Sequence, residues 1–259
     1  MTEGEQDARR IVDLLWGSGA EPRPGPRQRT SVAEVVDAAI ALADADGLAG
    51  VSMRALATAV GLRPMGLYTY VPNREVLIAL MVDAVAARDD DFPVGLELAD
   101  CLRAVAGRYR ADVLEHPWLL DVPAWRPVPG PGSTRRFEQH LIAISEAAER
   151  RGCTLGDVEL DAVVAVLRDF AIGNARSRVD QLATYAESGM TDAQWWEVVG
   201  PALAEAMPEG RYPVSSRVGN AVGELFEGPG NADHAYEYGL DRLVAGILAD
   251  LAVMDDRAR

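Results

Sequence analysis

Residues 60–75 read VGLRPMGLYTYVPNRE, and two tyrosines, a threonine and two arginines crowd there around one anchor-like leucine, Leu67. A segment packed into a core repeats apolar residues at helical spacing. This one is bracketed by Pro64 and Pro72 and presents mainly hydrogen-bond donors. Its neighbours supply the setting. SVAEVVDAAIALADADG (31–47) reads as an alanine-rich helix, with Ser31 as N-cap and Gly47 past its end. VSMRALATAVG (51–61) is a second helix, capped by Ser52, with Leu56 and Val60 on one face and Gly61 as its stop. RPMGLYTYV (63–71) is too short to stand alone; Pro64 suits its first turn, where a missing N–H costs nothing. PNREVLIALMVDAVAARDDD (72–91) is a strong helix capped by Asn73, with Val76, Leu77, Leu80, Met81 and Ala84 on one face.

Short helices with a glycine turn between the second and third describe a helix-turn-helix unit, whose last helix enters the DNA major groove. That explains the odd composition. A reading helix needs a few inward anchors, here Leu67 and Val71, and polar or small groups facing out. Tyr68 and Tyr70 can donate to phosphates, and Thr69 can meet a thymine methyl or a base-edge acceptor. Gly66 permits close backbone approach and Met65 offers apolar contact. Arg54 and Arg74 suit phosphates or a guanine edge. The same pattern also suits a helical protein-binding surface.

The chain has 259 residues, 49% hydrophobic and 25% charged, enough for one large domain or two smaller ones. No run approaches the roughly 18 apolar residues of a membrane span. The opening MTEGEQDARR lacks the apolar core of an export signal, so a cytoplasmic protein with no membrane partner is expected. Cys101 and Cys153 lie far apart and read as free thiols. All 25 basic residues are arginine, and the net charge of −15 is uneven. Residues 1–88 carry 9 Arg and 11 acids, a net of −2; the remainder carries −13. If any part meets an anionic partner, it is the first third, while the acidic remainder repels nucleic acid.

The organisation expected is all-α. Residues 2–16 suit a short amphipathic helix carrying Ile11, Val12, Leu15 and Trp16, and GSGAEPRPGPRQRTS (17–31) an extended basic arm with Arg23, Arg27 and Arg29. Beyond residue 92 helices are expected near 96–115, 133–151, 155–182, 191–207 and 233–253. The division is an N-terminal extension and arm (1–30), a helix-turn-helix domain (31–75), a connecting helix (76–92) and a larger helical domain (93–259). His116, His140 and His234 show no metal-ligand spacing, and neither a phosphate loop nor a nucleophile elbow is present, so enzyme chemistry is not expected.

VSMRALATAVGLRPMGLYTYVPNREVLIALMVDAV (51–85) closely resembles the DNA-binding region of the TetR/AcrR family of bacterial transcriptional regulators. The resemblance covers roughly residues 31–86. The later segments EHPWLL (115–120), ERRG (149–152) and AYEYGLDRLVAGI (235–247) are similar, more loosely, to the tetracycline-repressor-like effector domain. By position, the resemblance implies DNA contacts at Ser52, Arg54, Pro64, Met65, Gly66, Tyr68, Thr69, Tyr70 and Arg74. The chain departs from the family at RPMG (63–66), where Arg63 is the only side-chain donor, which shifts weight from direct bonds toward shape. The resemblance further implies a homodimer formed by the last two long helices. In residues 234–254, Tyr236, Leu240, Leu243, Ile247, Leu251 and Met254 form a continuous apolar seam, with Gly239 and Gly246 leaving room for another helix. An intramolecular core helix has the same pattern.

An effector pocket is apolar with a few convergent polar groups. The candidates are Tyr109, His116, Trp118, Trp125, Phe137, His140, Phe170, Asn174 and Arg178, each equally compatible with plain core packing. The family's magnesium–drug ligand set does not map onto this chain, so neither metal nor cofactor is expected. The function implied is a homodimeric regulator that binds a double-stranded operator, most often as a repressor, and responds to a small apolar or aromatic effector. An activator, a ligand-independent regulator, and a helical interaction module without DNA binding are the alternatives.

Overall fold

The structure, a computed structural model, describes residues 3–17, 30–88, 91–123, 127–208 and 210–258, with side chains from Arg9 to Leu251. The arginine arm and Asp89 lie outside the described residues. Among the described residues every regular element is helical: α1 (Glu3–Leu15), α2 (Val32–Gly50), α3 (Met53–Ala59), α4 (Pro64–Leu67), α5 (Arg74–Ala87), α6 (Leu98–Glu115), a 3-10 turn (Pro117–Asp121), α7 (Pro131–Arg150), α8 (Asp157–Ser188), α9 (Asp192–Ala206), α10 (Pro213–Phe226) and α11 (Ala232–Ala258).

Local chemistry sets the N-terminal boundaries. Ser31 Oγ accepts from Glu34 N at 3.2 Å, while the Glu34 carboxylate accepts from Ser31 N at 2.7 Å, a reciprocal cap. The Ser31 N–H, then the Thr30 and Ser31 hydroxyls, hold the Glu34 carboxyl below its usual range. That contribution is present above the ordinary carboxylate pKa and is lost as pH falls through the lowered one. Ser52 and Asn73 cap α3 and α5 one way, each side chain accepting from the backbone N–H three residues on, Ala55 and Val76. Gly47, at φ 70°, kinks α2, and Gly61, at φ 68°, makes the left-handed turn between α3 and α4 that other residues adopt only under strain.

Two cores form. In the head, Val35, Ile40, Leu56, Leu67, Val71, Val76, Leu77 and Met81 pack together, and Ile11 and Leu14 of α1 lie against them. The body core joins Leu102, Val105, Ile144, Leu167, Leu240 and Val244, with Phe92 and Cys101. Burial pushes the Cys101 thiol up to about 11, against a smaller opposing pull from Arg150, so it stays neutral at physiological pH.

Three expectations are corrected. First, α8 runs on to Ser188, where Gly189 ends it in the left-handed conformation. Its last turns lack an apolar stripe and were not visible as core-facing helix. Second, α10 was not expected, because Gly219 and Gly223 lower its helical propensity. A β-carbon at Gly223 would meet the Trp196 indole nitrogen and, at 2.7 Å, the ring beside it, so the glycine lets α10 seat against α9. Third, the apolar seam of α11 is largely internal. Leu240, Val244 and Leu251 are buried in the body core, with Tyr236 and Ile247 partly buried against it. A β-carbon at Gly239 would stand 2.6 Å from the Phe170 ring of α8. The helix that approaches there is the chain's own.

Head and body are joined through the 3-10 turn. Trp118 is 2% exposed and sits in the head core. Its indole N–H donates to Asp44 of α2 at 2.9 Å, and His116 Nδ1 donates to the same carboxylate oxygen at 2.8 Å. An ionised carboxylate only accepts, which places the imidazole proton on Nδ1. Asp44→Ala leaves two buried donors without an acceptor, each costing about 1–3 kcal/mol. Denaturant titration should show a loss of that order, and Asp44→Asn should recover only part of it.

Candidate nucleic-acid interface

The reading surface is built by α3, the glycine turn and α4. Leu56, Ala57, Leu67 and Val71 are buried beneath it, while Ser52, Arg54, Arg63, Pro64, Met65, Tyr68 and Thr69 are exposed. The regular part of α4 is one turn, Pro64–Leu67, but tight hydrogen bonds continue, from Tyr70 N to Leu67 O at 2.9 Å and Val71 N to Leu67 O at 3.0 Å. Thr69 and Tyr68 are thereby held on a rigid scaffold. Tyr70 is half-buried against the head core. Met65 is 80% exposed, and a β-carbon added at Gly66 would meet nothing within 4 Å. Gly66 also has no positive φ. A glycine in a helix costs about 1 kcal/mol relative to alanine, so the fold gains nothing from it here.

Arg74 has a second role that sequence did not reveal. Its Nη2 donates to Leu48 O at 2.7 Å and its Nε to Val51 O at 3.3 Å, satisfying the last carbonyls of α2. It clamps the start of α5 to the α2–α3 corner, behind the reading surface.

The end of α5 is tied to α7 by reciprocal caps. The Asp83 carboxylate accepts from Gly132 N at 3.1 Å, and from Ser133 N and Ser133 Oγ at 2.8 Å each, at the start of α7. In return Arg135 donates to Ala87 O at 2.9 Å and Arg136 to Val85 O at 3.4 Å, while Arg136 also pairs with Asp112 of α6. Gly132 allows the approach, since a β-carbon there would overlap the α5 backbone.

The effector candidates separate into groups rather than lining one cavity. His116 and Trp118, expected at a pocket, are placed at the head–body junction, where Asp44 takes their N–H groups. Tyr109 and the fully buried His140 meet edge-on, with ring centroids 5.5 Å apart, and Phe92 lies 5.0 Å from His140. Phe170 stacks on Tyr236 at 5.7 Å. Asn174 accepts from Arg110 Nε at 3.0 Å and donates to Ala232 O at 2.8 Å. Arg110 pairs with Asp233, and Arg178 lies 3.9 Å from the same carboxylate. The Tyr236 hydroxyl is buried and has no hydrogen-bond partner among the described residues. Burial raises its pKa, against a smaller pull from Arg110, so it stays a neutral phenol. Phe137 is 36% exposed, and Trp125 lies outside the described residues. A cleft of about 260 Å³ between residues 91–96 and α7 is lined by Phe92, Leu96, Cys101, Gln139 and Ile142, among others, and by none of the expected effector residues. Arg110, Asp233 and Tyr236 belong to the polar cluster and were missed as site residues, because no local motif links Arg110 of α6 to Asp233 and Tyr236 of α11.

Among the described residues no group of three or more His, Cys, Asp or Glu could hold a metal ion, and no helix is long and apolar enough to cross a membrane.

Comparison with known proteins agrees with this architecture. The family model for the tetracyclin repressor-like C-terminal domain matches residues 89–251. The HTH-type transcriptional repressor DrrR1 of Streptomyces coeruleorubidus is 36% identical over 251 residues, 95% of this chain and 87% of that protein. In fold the chain is similar to ligand-free ActR of Streptomyces coelicolor, with a TM-score of 0.65 and 20% identity over 88% of this chain and 100% of that one. ActR bound to actinorhodin gives 0.63 and 21%, over 88% and 99%.

The clamp makes a specific expectation for Arg74→Ala. It should lower head stability by about 1–2 kcal/mol, the value of two partly exposed charge-assisted bonds. Because the guanidinium is engaged with carbonyls, the slope of log affinity against log salt should change by less than the ~1 per half-site that a lost phosphate contact gives. A full unit of slope would place Arg74 on the DNA backbone.

Proposed function

The chain belongs to the TetR/AcrR family of transcriptional regulators and is a DNA-binding regulator rather than an enzyme, and from that premise we propose that it is a repressor released from its operator by a small molecule. The observation that carries the ligand response is the junction. Trp118 of the body completes the head core, so the head cannot reorient without the 3-10 turn moving with it. Arg176 of α8 donates to Leu120 O at 3.0 Å, linking that turn to the helix that carries Asn174 and Arg178. An effector at Phe170, Asn174, Arg178 and Tyr236 would meet a stacked aromatic pair and the buried Tyr236 hydroxyl, a setting suited to a small aromatic molecule with a hydrogen-bonding group. Binding there shifts α8 against the 3-10 turn and favours a head arrangement that no longer fits the operator. The shift is limited to the effector's differential affinity for the two arrangements.

Homodimerisation is typical of the family, and we place it on the outward faces of α8 and α11, the last two long helices. The inward face of α11 is already covered by the body core. Outward, Tyr238 is exposed, and β-carbons at Gly173 of α8 and Gly246 of α11 would meet nothing within 4 Å. The apolar residues Trp195, Val198, Val214, Val218 and Leu225 of α9 and α10 are also exposed. Two heads then reach successive major grooves of a pseudo-palindromic site.

The test is selection of bound fragments from genomic DNA, followed by anisotropy titration against salt and against aromatic small molecules. A steep salt slope and release by at least one compound are expected. Salt-independent or absent DNA binding would leave an interaction module instead. For the dimer, Gly246→Arg has open space in the protomer, so its helical content should be unchanged. In sedimentation it should run as a monomer and bind the operator at least about tenfold more weakly.

A further inference from the structure

Met65 stands 80% exposed at the second position of α4, an unusual place for a flexible apolar side chain on a polar surface. Its neighbour Gly66 has ordinary backbone angles, and a β-carbon there would touch nothing. Neither residue is explained by the fold. Pro64, also exposed, offers no N–H, and Arg63, Tyr68 and Thr69 are exposed neighbours in the sequence with side chains able to hydrogen-bond. In the major groove the one apolar feature of a base edge is the C5-methyl group of thymine. We propose that each operator half-site presents a thymine C5-methyl to Met65, seated against the bare Cα of Gly66, so that this pair selects T·A at one position. Met65 would then determine specificity without a hydrogen bond. Gly66 would set the approach distance, since a β-carbon would hold the helix off the base edge by about the width of a methyl group. The inference rests on the DNA-binding reading above and adds the chemistry of one base.

Uracil differs from thymine only by the missing methyl, so it isolates the contact. The operator is first selected from random duplex DNA by the full-length wild-type protein. Each thymine is then replaced by uracil, symmetrically in both half-sites. At one position per half-site the affinity should fall about fourfold for each methyl lost, about fifteenfold for the pair, as expected for burying one CH₂-sized group. Uracil elsewhere should change affinity by less than about twofold. With Met65→Ala, the same replacement should also matter less than about twofold. Gly66→Ala, which the fold accommodates, should keep or raise the melting temperature and weaken binding to selected and random duplexes alike. No uracil-sensitive position, or a uracil effect that persists in Met65→Ala, would overturn the proposal, the latter pointing to Thr69. Unchanged affinity of Gly66→Ala would overturn the seating at Gly66. If no duplex is selected at all, the DNA-binding reading fails first and this one with it.

Discussion

The Asp44 carboxylate lies where two folding units meet, and one of its oxygens receives two N–H groups from the other unit, one from His116 and one from Trp118. Both donors are nearly fully buried, so water cannot replace the acceptor if it withdraws. Trp118 also fills the head core, which adds apolar area to the same attachment. The orientation of α2, and through it of the reading surface, is therefore set by the end of α6 and the 3-10 turn.

A second attachment works through backbone polarity. The first N–H groups of α7 and the last carbonyls of α5 would each lack partners, and Asp83, Arg135 and Arg136 satisfy them across the joint. Arg136 is buried and paired with Asp112, so α5, α6 and α7 share one polar node. The head is thus held at two points: α6 with α7 at one, and the end of α6 with the 3-10 turn at the other, the turn being tied on to α8 through Arg176.

What could be read in advance was whatever depended on neighbours in the chain. Ser31, Ser52 and Asn73 bond backbone groups three residues away, and Gly61 supplies a turn angle by itself, so the starts of α2, α3 and α5 were legible almost to the residue, whereas α2 continues past Gly47 to Gly50. The exposed reading residues followed from the same spacing. The α10 helix was not legible, because its glycines argue against helix until Trp196 is seen over Gly223. The roles of His116 and Trp118 were not legible either, because their partner Asp44 lies more than seventy residues away. The bonds of Arg74 to Leu48 O and Val51 O were not legible, since an arginine at a helix start has the same sequence signature whether or not it also meets the carbonyls of another helix.

The sequence by itself determined the all-α class, the helix-turn-helix and the set of residues that face out from it, because caps, turns and hydrophobic period act over four residues or fewer. Only the tertiary structure decided which apolar faces meet inside one protomer. An apolar stripe such as Tyr236, Leu240, Ile247 and Leu251 records that water must be excluded along one side of α11, and hydrophobic burial is non-directional, so it carries no mark of what does the excluding. The packing of Phe170 against Gly239 identifies the chain's own α8 as that neighbour, and Tyr238, one residue earlier in α11, is left exposed.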